Sequence, residues 1–219
     1  MLFRSPNDCI IYRGEHEKLK NCPECNASRF KRGKSPQGET VEKLMSSAPA
    51  KVVWYLPIIP RLKRLFTNKN EAKLLRWHEE ERKDDGVMRH PADACQWQAI
   101  DNAFPLFGED PRNIRFGMST DGINPFGNMS SRHSTWPVVM WMYNLPPWLC
   151  LKRKYIHLSL LIQGPKQPGN DINMYMKLLY EELATLWKGV EVWDAYGEDS
   201  FNMKGLLLTT VQDLSSLGI

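Results

Sequence analysis

Two aspartates, Asp121 and Asp213, each end a short segment with the composition of a β-strand. Asp121 follows the run "IRFGMST" and is followed at once by "GINPFG", while Asp213 ends the largely apolar run "FNMKGLLLTTVQD". An Asx-turn is the simpler interpretation of Asp121, because Asp bonds its own backbone and glycine supplies positive φ in such turns. The alternative is that a carboxylate at a strand end is one half of a site for a divalent cation.

The segments between the two aspartates predict that the two carboxylates meet. Short β-branched or aromatic runs predict consecutive strands at residues 113–120, 136–143 and 155–163, in an antiparallel meander. Apolar residues at helical spacing predict a helix over residues 172–187. A helix that crosses back places residues 206–212 beside the first strand and parallel to it. The two carboxylates would then repel each other unless Mg²⁺ or Mn²⁺ lies between them, an arrangement suited to phosphodiester chemistry.

Three of the five cysteines have the spacing of a zinc site. Cys22 and Cys25 form a CxxC pair, and Cys9 lies upstream, which fits a zinc knuckle or half of a zinc ribbon. A structural zinc site needs four ligands, and His16, in the segment between, could substitute as the fourth. The alternative is a set of three reduced thiols. The other two cysteines are predicted to be small buried hydrophobic residues: Cys95 and Cys150.

The composition is that of a protein with a real core. The 219 residues include eight tryptophans, and the net charge of +4 permits a polyanionic partner without demanding one. No apolar stretch approaches the roughly 18–20 residues that span a bilayer. The N-terminal "MLFRSPNDC" lacks the apolar segment of a signal peptide. We therefore expect an intracellular soluble protein with no membrane partner and with reduced cysteines.

Composition also divides the chain into four predicted parts. Residues 1–32 are predicted to form a Cys-rich, zinc-ribbon-like module, and residues 33–50, rich in Gly, Ser and Pro, a linker. Residues 51–90 are predicted to be a basic helical segment in which Asn70 is the N-cap of a helix. Residues 91–219 carry the strand and helix pattern of an α/β domain.

Four histidines are weak candidates for catalysis. His78 is assigned to a charged helix surface, and His157 to the apolar interior of a strand. His90 has no assignable role, and His133 lies in a polar loop where it could face phosphate. None of the four is expected to be catalytic, because most histidines in proteins are not functional.

Five blocks of the sequence together resemble the transposase of plant CACTA (En/Spm-type) DNA transposons. In chain order they are "SPNDCIIYRGEHEKLKNCPECNASRFK", "MRHPAD", "RNIRFGMSTDGINPFG", "WPVVMWMYNLPPWLCLKRKYIHLSLLIQGPKQPGNDINMY" and "LLLTTVQD". The likeness covers nearly the whole chain in the same order. The "DGINPFG" block and the block from "YNLPPW" to "GPKQPGND" are the specific ones.

The resemblance implies an RNase H-like core that cuts and joins DNA with a DDD/E triad and Mg²⁺ or Mn²⁺. It places the first acid on Asp121 and the second on Asp213, both as metal ligands. The third acid lies well downstream in the family, whereas this sequence stops at Ile219. The expected fold is therefore α/β: a partial RNase H-like (DDE transposase) domain preceded by a Cys-rich module and a helical segment. As a truncated copy, the chain is expected to be inactive.

The resemblance also implies partners, a location and one altered ligand. Transposon-end DNA, the full-length transposase and a second copy of the chain are the implied partners, and the nucleus is the implied location. The family usually has Cys where this chain has Ser5, so the zinc site would retain Cys9, Cys22 and Cys25. Two alternatives stay open: a non-catalytic transposon-derived remnant that binds DNA or protein, and a zinc-ribbon regulator unrelated to transposons.

Overall fold

The computed structural model describes residues 1–31, 48–125, 134–164 and 172–211. Its strands are β1 Leu2–Arg4, β2 Lys51–Tyr55, β3 Ile114–Thr120, β4 Trp136–Met142, β5 His157–Ile162, β6 Val190–Asp194, β7 Asp199–Met203 and β8 Gly205–Val211. Its α-helices are α1 Ile59–Phe66, α2 Lys69–Leu74, α3 Trp77–Glu80, α4 Cys95–Ala103, α5 Pro105–Gly108, α6 Pro147–Cys150 and α7 Ile172–Lys188, with 3₁₀ turns at Gly14–His16 and Pro91–Asp93. The predicted site residue Asp213, as well as His133 and most of the predicted linker, lie outside the described residues.

A mixed sheet of six described strands runs in the order β1-β2-β5-β4-β3-β8. β3 is antiparallel to β4 and parallel to β8. The predictions of an antiparallel pair at the first two strands and of adjacent parallel strands at 113–120 and 206–212 are confirmed. β5 lies next to β4, as in a meander.

α7 confirms the predicted helix over residues 172–187. It begins at Ile172 and ends at Lys188, and its predicted apolar face is buried at four of its positions: Tyr175, Met176, Leu179 and Leu186. Burial of this stripe stabilises the helix more than intrinsic propensity does. In the described part of the chain, no helix combines the length and the apolar character needed to cross a membrane.

The sequence pattern predicts a single strand over residues 201–213, but the structure has two strands in this region, β7 and β8. The chain turns at Lys204, which separates β7 from β8, and β7 pairs antiparallel with β6 in a second, two-stranded sheet. Asn113 holds this turn, because its side-chain oxygen accepts a hydrogen bond from the Lys204 N–H at 2.8 Å. The apolar pattern continues through the turn, so the sequence could not show where one strand ends and the next begins.

The start of the predicted helical segment is also corrected. The run "KVVWY" forms β2, which pairs antiparallel with β1 and with β5. Its β-branched and aromatic residues favour a strand. The N-cap of α2 is Asn68 instead of Asn70, since the Asn68 side chain accepts hydrogen bonds from the N–H groups of Asn70 and Glu71.

By its contacts the chain forms two compact units. The first comprises Met1–Leu56, Gly122–Pro137 and Leu160–Leu179, and the second comprises Pro57–Asp121, Val138–Ser159 and Tyr180–Ile219. In the first unit the buried Arg4 guanidinium bonds the Tyr175 hydroxyl and the Gln163 carbonyl. In the second, one carboxylate oxygen of Glu182 on α7 accepts hydrogen bonds from Ile58 and Ile59 at the start of α1. The four-part division predicted from composition stays a prediction.

Candidate functional site

Asp121 follows the last residue of β3 and is exposed to solvent. β3 itself is a buried central strand, in which Ile114 and Phe116 have no exposed surface. Asp121 therefore lies at the point where the chain leaves the buried strand and reaches solvent. Asp121 has contacts within the protein, so both the Asx-turn interpretation and the metal-ligand interpretation stay open for it.

The pairing of β3 with β8 contains an irregularity that sets the register at this edge. Phe116 pairs with Leu207, but the next residue, Gly117, pairs with Thr209. β8 thus accommodates one extra residue as a bulge, a feature frequent next to functional sites. Beyond the bulge the pairing is regular up to Ser119 and Val211. Ser119 lies two residues before Asp121 in the sequence, and Val211 lies two residues before Asp213.

Two contacts fix β3 in the sheet. Gly117 lies against Trp141 of β4 so closely that a Cβ at this position would be 2.3 Å from the indole ring. The buried Asn144 accepts a hydrogen bond from the Arg115 N–H at 2.9 Å and donates one to the Asn113 carbonyl at 2.8 Å. Asn144 belongs to the "YNLPPW" block, so part of that block has a structural role in holding the strand that ends at Asp121.

Three of the histidines that the structure describes, His78, His90 and His157, are buried. The assignment of His78 to a charged surface is wrong, because the residue is buried and packs on the ring of Trp97 at 5.1 Å. Burial lowers the pKa of His78 to about 3 and the pKa of His90 to about 4. His90 accepts a hydrogen bond from the Ala92 N–H through Nδ1 and so caps a 3₁₀ turn. His157 is buried in β5 as predicted, and burial lowers its pKa to about 4.

Of the two cysteines predicted to be buried, only one is. Cys150 is buried, and burial raises the pKa of its thiol to about 12. The prediction for Cys95 is wrong, since this residue is exposed at the first position of α4. A nearby tryptophan, Trp97, suggested burial, but the side chains at positions 95 and 97 lie on different faces of the helix.

The other three cysteines converge as predicted. The Sγ atoms of Cys9, Cys22 and Cys25 all lie within 4.8 Å of one another. Burial and a hydrogen bond with Cys25 raise the pKa of Cys9 to about 11, whereas hydrogen bonds from Ser5 and from the Ala27 backbone lower the pKa of Cys25 to about 6. Three converging sulfurs suit a soft cation such as Zn²⁺. Zinc binding itself stays a prediction.

The fourth position of the cysteine cluster has two candidates, Ser5 and His16. The Ser5 hydroxyl oxygen lies 3.5 Å from Cys25 Sγ. His16 is not a member of the converging group and lies beside Glu15. The sequence already drew attention to position 5, because Ser5 stands where the resembling family has a cysteine.

The chain is thus a mixed α/β protein with a mixed sheet, an acidic residue after a central strand and a separate cysteine cluster. Residues 85–219 match the family model described as "Transposase family tnp2", which covers more than half of the chain. The chain belongs to this transposase family. No curated protein and no solved structure matches it. Asp121 lies inside the matched range, and the cysteine cluster lies outside it.

Proposed function

We propose that the chain contributes two catalytic carboxylates, Asp121 and Asp213, to a CACTA-type (En/Spm) DNA transposase with an RNase H-like fold. Its substrate is transposon-end DNA, and the site of action is the nucleus. The observation that carries this proposal is the parallel pairing of β3 and β8, with Ser119 opposite Val211. Ser119 and Val211 each lie two residues before the proposed ligand in their own strand, so the proposal takes the same register to continue to Asp121 and Asp213.

The donor chemistry of the two residues fits a hard divalent cation. Mg²⁺ and Mn²⁺ prefer carboxylate and phosphate oxygens and keep open positions for substrate. When bound, such a cation activates an attacking oxygen and stabilises the leaving oxygen of a phosphodiester. Asp121 is exposed, so a DNA backbone can approach it. Without a cation, its negative charge repels the phosphates.

The family membership favours DNA as the partner in general terms. In the proposal, water attacks a phosphodiester at the transposon end and releases a DNA 3′-hydroxyl. This hydroxyl then attacks a second phosphodiester, joining the two strands and releasing the other side of that phosphodiester as the leaving group. Self-association or association with a full-length transposase would bring two transposon ends together. The rival is a non-catalytic, transposon-derived protein that binds DNA without using the aspartates, and the two differ in how DNA affinity depends on metal.

The test is the affinity of the chain for fluorescent transposon-end DNA, measured by anisotropy at constant ionic strength in EDTA and in Mg²⁺ or Ca²⁺. We expect the cation to strengthen binding about tenfold, equivalent to about 1.4 kcal/mol, because it bridges the carboxylates and a phosphate. Asp121→Asn should abolish this gain. Glu191→Gln is the matched control, since it removes the same charge from an exposed position on β6.

An equal cation-dependent gain in wild type and Asp121→Asn would contradict the proposal. DNA binding of the same strength in EDTA and in Mg²⁺, for all three proteins, would favour the non-catalytic alternative.

A further inference from the structure

The cysteine cluster is built from two short turns. In the first, Ser5 and Cys9 lie at the two ends, the Asp8 N–H bonds the Ser5 carbonyl at 3.0 Å, and Asp8 has φ 60°. In the second, Cys22 and Cys25 lie on either side of the turn, which the Asn26 N–H closes on the Cys22 carbonyl at 2.8 Å. Each turn therefore presents two side chains to the same point.

The distances match a tetrahedral metal site with one oxygen ligand. Zn–S bonds of about 2.3 Å place two ligand sulfurs about 3.8 Å apart in a tetrahedron, and the three sulfurs lie within 4.8 Å of one another. With a Zn–O bond of about 2.1 Å, the expected oxygen-to-sulfur distance is about 3.6 Å. The Ser5 Oγ lies 3.5 Å from Cys25 Sγ, and the Ser5 residue has no exposed surface.

The first turn is held in place independently of any metal. The Asp8 carboxylate forms ion pairs with Arg4 at 2.6 Å and with Lys51 at 3.2 Å. Arg4 is itself buried and is bonded to Gln163. Because these contacts anchor the residue between Ser5 and Cys9, the Ser5 hydroxyl is directed at the sulfurs before a cation arrives.

We propose that Ser5 forms the fourth corner of this cluster, so that the chain binds Zn²⁺ through three thiolates and one neutral hydroxyl oxygen. Binding displaces the protons of the three thiols, while Ser5 keeps its proton. The occupied site then carries one net negative charge, against two for a site with four thiolates. A neutral oxygen is a weaker donor to Zn²⁺ than a thiolate, so this site holds the metal less tightly than a four-cysteine site would.

The buried Tyr12 hydroxyl fits the same proposal. Tyr12 packs with Cys22 in one apolar cluster, is 3% exposed, and its hydroxyl has no hydrogen-bond partner among the described residues. Buried hydroxyls normally have a partner. A metal-bound thiolate accepts hydrogen bonds, and such outer contacts are typical of metal sites.

The experiment compares wild type with Ser5→Cys and Ser5→Ala, using zinc stoichiometry, competition titration of Zn²⁺, and the absorption spectrum of the Co²⁺ form. We expect one zinc per chain in the wild type. Ser5→Cys should tighten zinc binding about tenfold, which corresponds to about 1.4 kcal/mol, and raise the sulfur-to-cobalt charge-transfer absorption from that of three thiolates toward that of four. Ser5→Ala should weaken binding.

Two controls separate the cluster from other thiols. Cys22→Ser should lose the zinc, whereas Cys95→Ser, at an exposed cysteine outside the cluster, should keep it. An unchanged affinity and an unchanged cobalt spectrum in Ser5→Cys would overturn the assignment of Ser5. Absence of zinc binding in both wild type and Ser5→Cys would overturn the metal site altogether. Neither result depends on Asp121 or Asp213.

Discussion

At the scale of single residues, three buried histidines, His78, His90 and His157, give the second unit a specific response to acid. Their pKa values are about 3, 4 and 4, and burial is the largest cause in each case. For His78 the neighbouring Arg115 lowers the pKa further, whereas for His90 the carboxylate of Asp93 opposes the shift. All three imidazoles are therefore neutral in the folded protein at pH 5 and above.

We predict that stability falls as the pH drops below about 6.5. In the unfolded chain these histidines take up protons near their ordinary pKa of about 6.5, whereas in the folded protein they stay neutral down to about pH 4 or below. The unfolded state thus binds more protons, and each histidine lowers the free energy of unfolding by up to about 1.4 kcal/mol per pH unit in this window. Above pH 7 the three make no pH-dependent contribution.

Urea unfolding at pH 7.5, 6.5, 5.7 and 5.0 measures this effect. His78→Gln should reduce the slope of the free energy of unfolding against pH by about 1.4 kcal/mol per pH unit, which is the contribution of one proton. A free energy of unfolding that stays constant from pH 7 to pH 5 would show that the histidines are exposed or protonated in the fold.

Single residues were predictable from the sequence where spacing alone decides their position. Cys22 and Cys25 are three residues apart, so a single turn, closed by the Asn26 N–H on the Cys22 carbonyl, is enough to bring their sulfurs together. The burial of His78 was not predictable, because the residues that follow it along the chain are charged. Trp97, which packs against it, comes from α4. Local composition carries no information on such a contact.

At the scale of elements, the close packing of β3 beside β4 requires a glycine at position 117. Gly117 faces the indole of Trp141 across the β3–β4 pair, and a Cβ would lie 2.3 Å from the ring. Real Cβ atoms do not approach other atoms so closely, so either β3 or the indole would have to move. Trp141 is itself largely buried and packs against Tyr143, which leaves the ring little freedom.

We predict that Gly117→Ala destabilises the protein by about 1–3 kcal/mol, the usual cost of overpacking a core. Thermal and urea unfolding measure this change. Ser119→Ala is the control in the same strand, and we expect it to unfold close to the wild type. A Gly117→Ala protein as stable as the wild type would show that the Trp141 indole does not lie against Gly117 in the β3–β4 pair.

Elements with a strong local signal were predictable, and those defined by their partners were not. The apolar stripe of α7 and the β-branched runs of β3, β4 and β5 are visible in the sequence. β2 was missed because it is a five-residue run between a linker and a helix, although its composition favours a strand; its partners, β1 and β5, are distant in sequence. The bulge at Leu208 of β8, opposite the step from Phe116 to Gly117, has no sequence signature, although it sets the register on which the candidate site depends.

At the scale of the whole molecule, the family is established by the match over residues 85–219, and the proposed chemistry depends on a parallel pair of strands. The order of strand, strand, strand, helix, strand predicted that pair, because a crossover helix returns the chain in the same direction. The β6–β7 hairpin inserted before β8 was not predicted, and it leaves the topology of the pair unchanged. The sequence could not predict the register of the pair, in which Ser119 lies opposite Val211.

The central claim is that Asp121 and Asp213 hold one divalent cation between them. Replacing Mg²⁺ by Fe²⁺ and adding ascorbate and peroxide generates hydroxyl radicals at the bound iron, which cut the polypeptide close to its ligands. We predict cuts near residues 121 and 213 that Mg²⁺ suppresses by competition and that Asp121→Asn removes together. Cuts near the cysteine cluster, if iron also binds there, should persist in Asp121→Asn. A cut near 121 without one near 213, or cuts at both places that survive Asp121→Asn, would contradict a shared cation.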